Sequence, residues 1–596
     1  MALLRRLMVL IAGFTMVAGS ESTAGEVQTA LAMHGDPAYP PDMTHFAYAD
    51  LDAQVGGTLR LTAVGTFDNL NPYIILGVPA QGLGLVFESL MERSQDEPFT
   101  LYPLIAESIE LADDRSWITF HINPEARFQD GTPVTADDVL FTWRTLRDEG
   151  RPHTRTYYSE VTEAEALDSL SVRFTFRSGN WEMPLIMGLM PVLSMSYFET
   201  HEFDKTTLQP PLGTGPYRVA QVEAGQRIVY QRDPDYWGWD LPVNQGRYNF
   251  DQISYTYFRD ANAALQAFLA GDVDARFEDD ETRWATGYDT PAARRGDIIT
   301  EEVQHGRPSG MSALVFNTRR DLFDDVRVRE ALGLAFDFEW TNRNLLHGAY
   351  ERTTSMFDNA DLASSGLPVG MELALLEPYR DQLPPELFNE PFALSVTDGS
   401  GQLRQQLQAA RDLLSDAGWQ VIDGTLTRSS DGRTFDFEIL LDDSRWERIL
   451  LPYTRNLARL GITARLRTVD SAQYQLRRSD FDYDAIVYRW GQSLSPGNEQ
   501  FIYWSSEAAE SPGSRNYAGV TDPVVDSLIT KLVDARDRDE LVAAARALDR
   551  VLLWGHYGMP LFHLEVDNIA RWSSIERPAI SPLYGPDIST WWQSQN

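Results

Sequence analysis

The chain reads as an α/β protein of two lobes, one inserted into the other, and three observations predict this. Its 596 residues exceed what a single hydrophobic core organises, which points to two or more lobes of roughly 100 to 250 residues each. With 43% hydrophobic and 23% charged residues, the composition is that of a folded globular chain. Two regions alternate strand-like and helix-like patterns, as parallel sheets with covering helices do.

The chain starts with an export pattern. Arg5 and Arg6 precede an apolar run from Leu7 to Val17, followed by the small residues Ala18, Gly19 and Ser20, which is the order of a secretory signal peptide. The expected signal is residues 1–24, with cleavage as late as Ala32. The apolar run is short for a bilayer span, and no later stretch approaches transmembrane length. The mature protein is therefore expected to be exported and soluble. Because cysteine is absent, it has no disulfide, no thiolate metal site and no lipid-modified N-terminal cysteine, so it is expected in the periplasm and not as a lipoprotein.

From Phe120 to Arg147 the sequence spells a strand, a turn and a capped helix. Phe120 to Ile122 is strand-like, Asp130-Gly131 is a turn dipeptide, and Thr132-Pro133 keeps the backbone extended. Thr135 is placed as N-cap with Asp138 three residues on, and Val134 with Val139 form the expected hydrophobic staple. Val139, Trp143 and Leu146 follow at helical spacing.

Ile253 to Phe258 reads as a strand, Ala261 to Ala270 as a helix stopped by Gly271, and Val273 to Phe277 as a second strand, together one expected βαβ unit. A helix begins near Asp324. Asp358 to Pro391, rich in Pro, Gly and acids, reads as a long surface excursion. Leu403 to Ala417 is a helix, and Asp423-Gly424 a hairpin turn. Phe435 to Leu441, Ile462 to Leu466 and Tyr483 to Tyr488 are strands separated by helices over 446–460 and 471–478. This order predicts one lobe over 33–310, a second over 311–488, and a return to the first over 489–596. Hinges are expected near Ser309-Gly310-Met311 and Arg489-Trp490-Gly491.

The charge excludes some functions. The formal net charge is −36, and loss of the signal leaves the chain one unit more negative, so nucleic-acid binding is excluded by repulsion. Lys205 and Lys531 are the only lysines. No HExxH, P-loop or G-x-S-x-G pattern occurs. Gly213-Thr214-Gly215-Pro216 has the wrong spacing for a dinucleotide site. Glu278-Asp279-Asp280-Glu281 lacks EF-hand spacing and reads as a solvated acidic face. Neither an enzyme nor a metal or other cofactor is expected.

The run RFQDGTPVTADDVLFTW closely resembles the signature of the family-5, dipeptide/oligopeptide-type extracellular solute-binding proteins of ABC importers. Asn69-Leu70-Asn71-Pro72, Val86 to Leu90, Gly213 to Arg218, and Phe316-Asn317-Thr318 leading into Val326-Arg327 fall in the family's order. His34-Gly35-Asp36, Tyr236-Trp237-Gly238, Asn244 to Asp251, Trp284-Ala285-Thr286 and Gln492 to Gln500 resemble the YejA-like subgroup. The resemblance implies a type II periplasmic-binding-protein clamp with an extra subdomain in the first lobe, about residues 86–220.

It also implies a function: a monomeric receptor that captures oligopeptides or peptide-derived compounds and delivers them to an inner-membrane ABC permease. The alternatives are a non-peptide cargo (opine, murein fragment or oligosaccharide) and, less expected, a secreted hydrolase. By position, Gly77, Val78 and Ala80 match the loop that pairs one edge of the peptide, and Arg489, Trp490, Gly491, Gln492 and Ser493 match the strand pairing the other. Relatives cap the ligand's α-amino group with an aspartate three residues after the matching tryptophan; here Ser493 stands there. Asp280 and Glu281, beside Trp284, are the candidate replacements. Arg319 and Arg489 are candidates to hold a ligand carboxylate.

Overall fold

A computed structural model describes residues 27–177 and 180–594, so the expected signal segment lies outside the described residues. Ala32, the later expected cleavage point, lies in the buried strand Leu31–Ala32, paired with Thr100–Pro103. The earlier site leaves this strand intact, together with Val27–Gln28, an edge strand of the first sheet.

That sheet is antiparallel, in the order Val27–Gln28, Ala106–Leu111, Trp117–Ile122, Ser171–Phe176, Val161–Asp168. Its third strand leads into the turn foreseen at Asp130-Gly131, where Gly131 has φ 86° and Asp130 Oδ1 accepts the Thr132 N–H at 2.9 Å. The helix Ala136–Glu149 follows. Asp138 Oδ2 accepts from both the backbone N–H and the hydroxyl of Thr135, at 3.0 and 2.8 Å, and Val134 and Val139 are both buried. The other Asp138 oxygen accepts the Met195 N–H at 2.9 Å, so one carboxylate caps the helix and ties it to the next segment.

A second sheet runs Tyr217–Glu223, Arg227–Arg232, Gln252–Phe258, Thr58–Val64. The last two strands are parallel, in register from Gln252↔Thr58 to Phe258↔Val64. One core unites both sheets, through residues such as Leu59, Phe120, Val139 and Ile253. The expected βαβ unit is corrected here. The helix Ala261–Ala270 and Gly271 at φ 85° stand where foreseen, but Ala275–Phe277 enters a third sheet, antiparallel to Val566–Trp572. The alternation was real, but the partner of Gln252–Phe258 comes from far upstream.

In the second lobe the sheet order is Thr463–Thr468, Asp436–Leu441, Ala485–Trp490, Met311–Phe316, Gly558–Pro560. The first three strands are parallel, as the strand–helix alternation predicts, and the last two pair antiparallel. The hairpin at Asp423-Gly424 has both residues at positive φ, 48° and 83°, the geometry a two-residue turn of this kind requires.

The structure moves the return to the first lobe. The chain does not cross at 489 but between His563 and Val566, because the helices Pro523–Val533 and Arg538–Trp554 bury Val525, Leu528, Leu548 and Leu552 in the same core as Leu440 and Ile486. The outward crossing lies between Gln304 and Met311. Only the final stretch from Val566 rejoins the first lobe, where Val566–Trp572 pairs with both Ala275–Phe277 and Ile298–Gln304.

The stretch 358–391 is no surface excursion. Leu362, Leu376, Leu387 and Phe388 are buried in the second core. Adjacent residues of the last long helix hold it: Asp549 accepts four hydrogen bonds, from the Met356 and Ser364 N–H groups and the Ser355 and Ser364 hydroxyls. Arg550 pairs with Glu372 at 2.7 Å and donates to the Gly366 and Ser365 carbonyls.

Candidate ligand-binding site

The two lobes touch on both flanks of the cleft. On one flank the helix Glu281–Gly287 presents Glu281 to Arg448 at 3.3 Å and to the Tyr350 hydroxyl at 3.4 Å. On the other, Asn498 Nδ2 donates to Glu182 Oε2 at 3.1 Å, and the Arg536 guanidinium lies 4.0 Å over the Trp181 ring. The hinge joins the lobes behind them, with Ser309 N–H donating to the Asp358 carbonyl at 2.7 Å and Arg307 paired with Asp567 at 2.6 Å.

Gly77, Val78 and Ala80, expected to pair one edge of a peptide, lie in an irregular loop. Gly77 has φ 76°, and a Cβ there would meet Asp68 and Thr206 at 2.7 Å, so a side chain is excluded. Asn69 builds the loop: its amide donates to the carbonyls of Asn71 and Leu76 while its oxygen accepts from the Asn71 and Thr207 N–H groups. Val78, however, has its N–H taken by Asp68 Oδ1 at 2.6 Å and its carbonyl by the Asp68 N–H. The Ala80 N–H goes to the Asn69 carbonyl, and Ala80 is buried. What the loop turns outward is apolar: Ile75, Leu76 and Val78 are 63%, 58% and 50% exposed.

On the opposite strand, Arg489 pairs in register with Ser312, and Trp490 with Met311. The Trp490 ring is core, 2% exposed, 4.5 Å from the Trp504 ring and donating to the Arg515 carbonyl. Arg319 is likewise structural. Its guanidinium lies 3.8 Å over Phe481 and donates to the carbonyls of Ala509 and Asn516, which leaves nothing for a ligand. Trp284 donates to Glu302 at 3.0 Å and packs 5.4 Å from Tyr288, on the helix that carries Glu281.

Arg489 differs from these. Its side chain is exposed, Nε alone is held, by the Ser309 carbonyl at 2.9 Å, and no carboxylate among the described residues pairs with it. Desolvation of the part of the side chain that packs at the hinge, then the like charge of Arg307, lowers its pKa from the usual range, so an anion beside it is favoured. Gly491 stands in open space. Gln492 Oε1 accepts from Gln500 Nε2 at 2.7 Å, while its own Nε2 is buried without a partner.

The acids chosen from sequence do not replace the missing aspartate. Asp280 caps its helix, accepting the Arg283 N–H at 2.7 Å, and Glu281 is taken by Arg448 and Tyr350. Nor is this run a solvated face, because Glu278 is buried between Arg276, Arg283 and the Tyr288 hydroxyl. Ser493 accepts the Ser495 N–H in a local turn. The acid nearest in the chain is Glu499, six residues beyond Ser493, whose carboxylate accepts the Gly497 N–H at 3.0 Å. It stood inside the Gln492 to Gln500 motif, but at a spacing that did not match the expected aspartate.

Comparison with known proteins gives the family and the fold. The model of bacterial extracellular solute-binding proteins, family 5, matches residues 100–512. The chain is 42% identical to the peptidoglycan-binding protein YepA of Agrobacterium fabrum, covering 95% of each, and 41% identical to that organism's probable peptide-binding protein YejA, covering 94% and 93%. Among solved structures, the oligopeptide-binding protein AppA of Bacillus subtilis with a nonapeptide superposes with a TM-score of 0.64 at 20% identity, over 91% of this chain and 100% of that one. The fold is that of the type II periplasmic binding proteins. With the family model spanning most of the chain and the relatives matching nearly all of it, the protein belongs to the family-5 extracellular solute-binding proteins.

Proposed function

We propose that the chain is the periplasmic receptor of an ABC importer, closing its two lobes on an oligopeptide or peptide-derived compound and presenting it to an inner-membrane permease. The observation that carries this reading is Arg489: an exposed guanidinium fixed at Nε beside the hinge, with no carboxylate of its own. A ligand carboxylate is its natural complement, since guanidinium pairs with carboxylate bidentately. The apolar side chains of Ile75, Leu76 and Val78 supply non-specific contact, which suits cargo of varied sequence. No helix among the described residues is long and apolar enough to cross a membrane.

Arg489→Ala is expected to weaken binding of a peptide with a free carboxyl terminus by about 10- to 100-fold, the worth of a charge-assisted pair. The C-terminal amide of the same peptide should bind both forms alike. Titration calorimetry with tetraalanine and its amide checks this, and equal affinities of wild type for the two peptides would remove Arg489 from the site. A second reading keeps the receptor and makes the cargo a murein peptide, favoured by the similarity to a peptidoglycan-binding protein. Mass spectrometry of ligand released from purified protein separates the two. Turnover of peptide by contaminant-free protein would revive the hydrolase reading.

A further inference from the structure

The histidine of the His34-Gly35-Asp36 motif lies on the seam where the lobes meet. It follows the buried strand Leu31–Ala32 of the first lobe. Across the seam its ring faces Ala535, Asp537 and Arg538, in the connection between the two long helices of the second lobe, and Arg115 approaches it from its own lobe. Trp181 stands beside it, its Nε1 donating to the Met33 carbonyl at 3.2 Å. Two guanidinium groups lie over the Trp181 ring, Arg115 of the first lobe at 4.1 Å and Arg536 of the second at 4.0 Å. Arg115 is fixed there by donating to the Ala32 and Trp181 carbonyls at 2.8 and 3.1 Å.

This seam accommodates a neutral imidazole and opposes a charged one. Nδ1 of His34 is buried and bonds to nothing among the described residues. A charged ring carries a proton on both nitrogens, so closure would bury an N–H without an acceptor, beside Arg115 and Arg538. The acids nearby are committed elsewhere. Asp537 caps the helix Arg538–Trp554, accepting the Glu540 N–H at 2.9 Å, and Asp361 holds Arg538 at 2.5 Å. Burial first, then Arg115 and Arg538, lowers the His34 pKa from 6.5 to about 4, against the weaker pull of Asp537 and the Ala535 backbone. Opening removes the second-lobe groups and returns the ring to water, where the ordinary value applies.

We propose that His34 is the closure switch of the clamp: the second lobe docks Arg536 on Trp181 only while His34 is uncharged, and a proton on the ring opens the seam. The proposal rests on the receptor reading above for the opening and closing of the lobes, and adds a condition for closure that lies outside the cargo. A group whose pKa is lower closed than open supports closure above about pH 6.5 and loses that support as the pH falls to about 4. Glu182, bonded to Asn498 on the same flank, acts in the opposite sense, because burial and then Glu499 raise its carboxyl to about 7. The contribution of His34 is therefore the difference between wild type and a histidine variant at each pH.

The chain has no cysteine, so dyes on Glu165→Cys and Gln420→Cys, exposed on opposite lobes, report opening by energy transfer in the ligand-free protein. From pH 8 to pH 5 the closed-to-open ratio should fall about 30-fold relative to His34→Gln, tenfold for each unit below 6.5. At pH 8 the two should agree within about 2-fold, whereas His34→Lys should favour the open state there as well. An unchanged relative ratio overturns the switch. If one state prevails at every pH, a locked clamp decides. Asn180→Cys and Asn498→Cys, at positions whose side chains lie 3.4 Å apart across the seam, are joined by dibromobimane, and proton NMR follows the histidine signal that His34→Gln lacks. In the lock that signal should titrate near pH 4, and a midpoint near 6.5 overturns the switch. Thermal melts identify any variant that misfolds. Neither measurement uses a ligand, so failure of the switch and failure of the peptide reading are told apart.

Discussion

Replacing Asp549 by alanine is expected to destabilise the second lobe by about 3 to 5 kcal/mol. The residue is fully buried, and its two oxygens accept from two backbone N–H groups and two serine hydroxyls. Alanine leaves all four donors without a partner and a void in place of the carboxylate. The donors belong to the 355–364 segment, so that stretch loosens first, and Arg550 next door, buried with Glu372, loses the geometry of its own pair. Urea denaturation followed by tryptophan fluorescence measures the loss. Hydrogen exchange should show the earliest gain at Met356 and Ser364, and a cost below about 1 kcal/mol would mean that water replaces the carboxylate.

The second large effect is one of pH, and it lies in the first lobe. Glu88 is buried with one oxygen bonded to the Tyr236 hydroxyl and the other without a partner. Burial pushes its carboxyl from 4.5 up to about 8, while the hydrogen bond from Tyr236 pulls the other way and loses. A raised acid pKa means that the folded protein keeps a proton that the unfolded chain releases. The contribution is thus fully present below about pH 4.5 and is lost as the pH rises to 8, at about 1.4 kcal/mol per pH unit for one group. Asp549, raised to about 6, and Glu182, raised to about 7, slope the same way over narrower windows. Glu88→Gln, neutral at every pH, should flatten most of the dependence and leave the variant more stable than wild type at pH 8.5. A wild-type stability that rises from pH 5 to pH 8 would contradict the assignment.

Local signals made much of the fold legible. Asp130-Gly131 and Asp423-Gly424 fall at turns because the glycines, and Asp423 too, take positive φ. The parallel strands 436–441 and 463–468 follow from their spacing around an amphipathic helix. Pairing between distant segments was not legible: nothing in Gln252–Phe258 names Thr58–Val64 as its partner, and the crossing at 489 looked right because a strand does end there. For the site, residue type misled. Arg319 and Trp490 have the chemistry of ligand contacts, but their partners are carbonyls and rings inside the lobe, which only the packing reveals. Arg489 shares its residue type with Arg319 and differs only in what surrounds it.

The late return of the chain has a consequence for synthesis. The second lobe is complete once residue 563 has been made, but Val566–Trp572 is the middle strand of its sheet, so Ala275–Phe277 and Ile298–Gln304 have no neighbour to pair with until the last few dozen residues appear. The first lobe therefore cannot finish folding on the ribosome ahead of the second, although most of it is made first. The C-terminal strand acts as a clasp, and a chain ending at 565 would carry a finished inner lobe at the end of an outer one that lacks its closing strand.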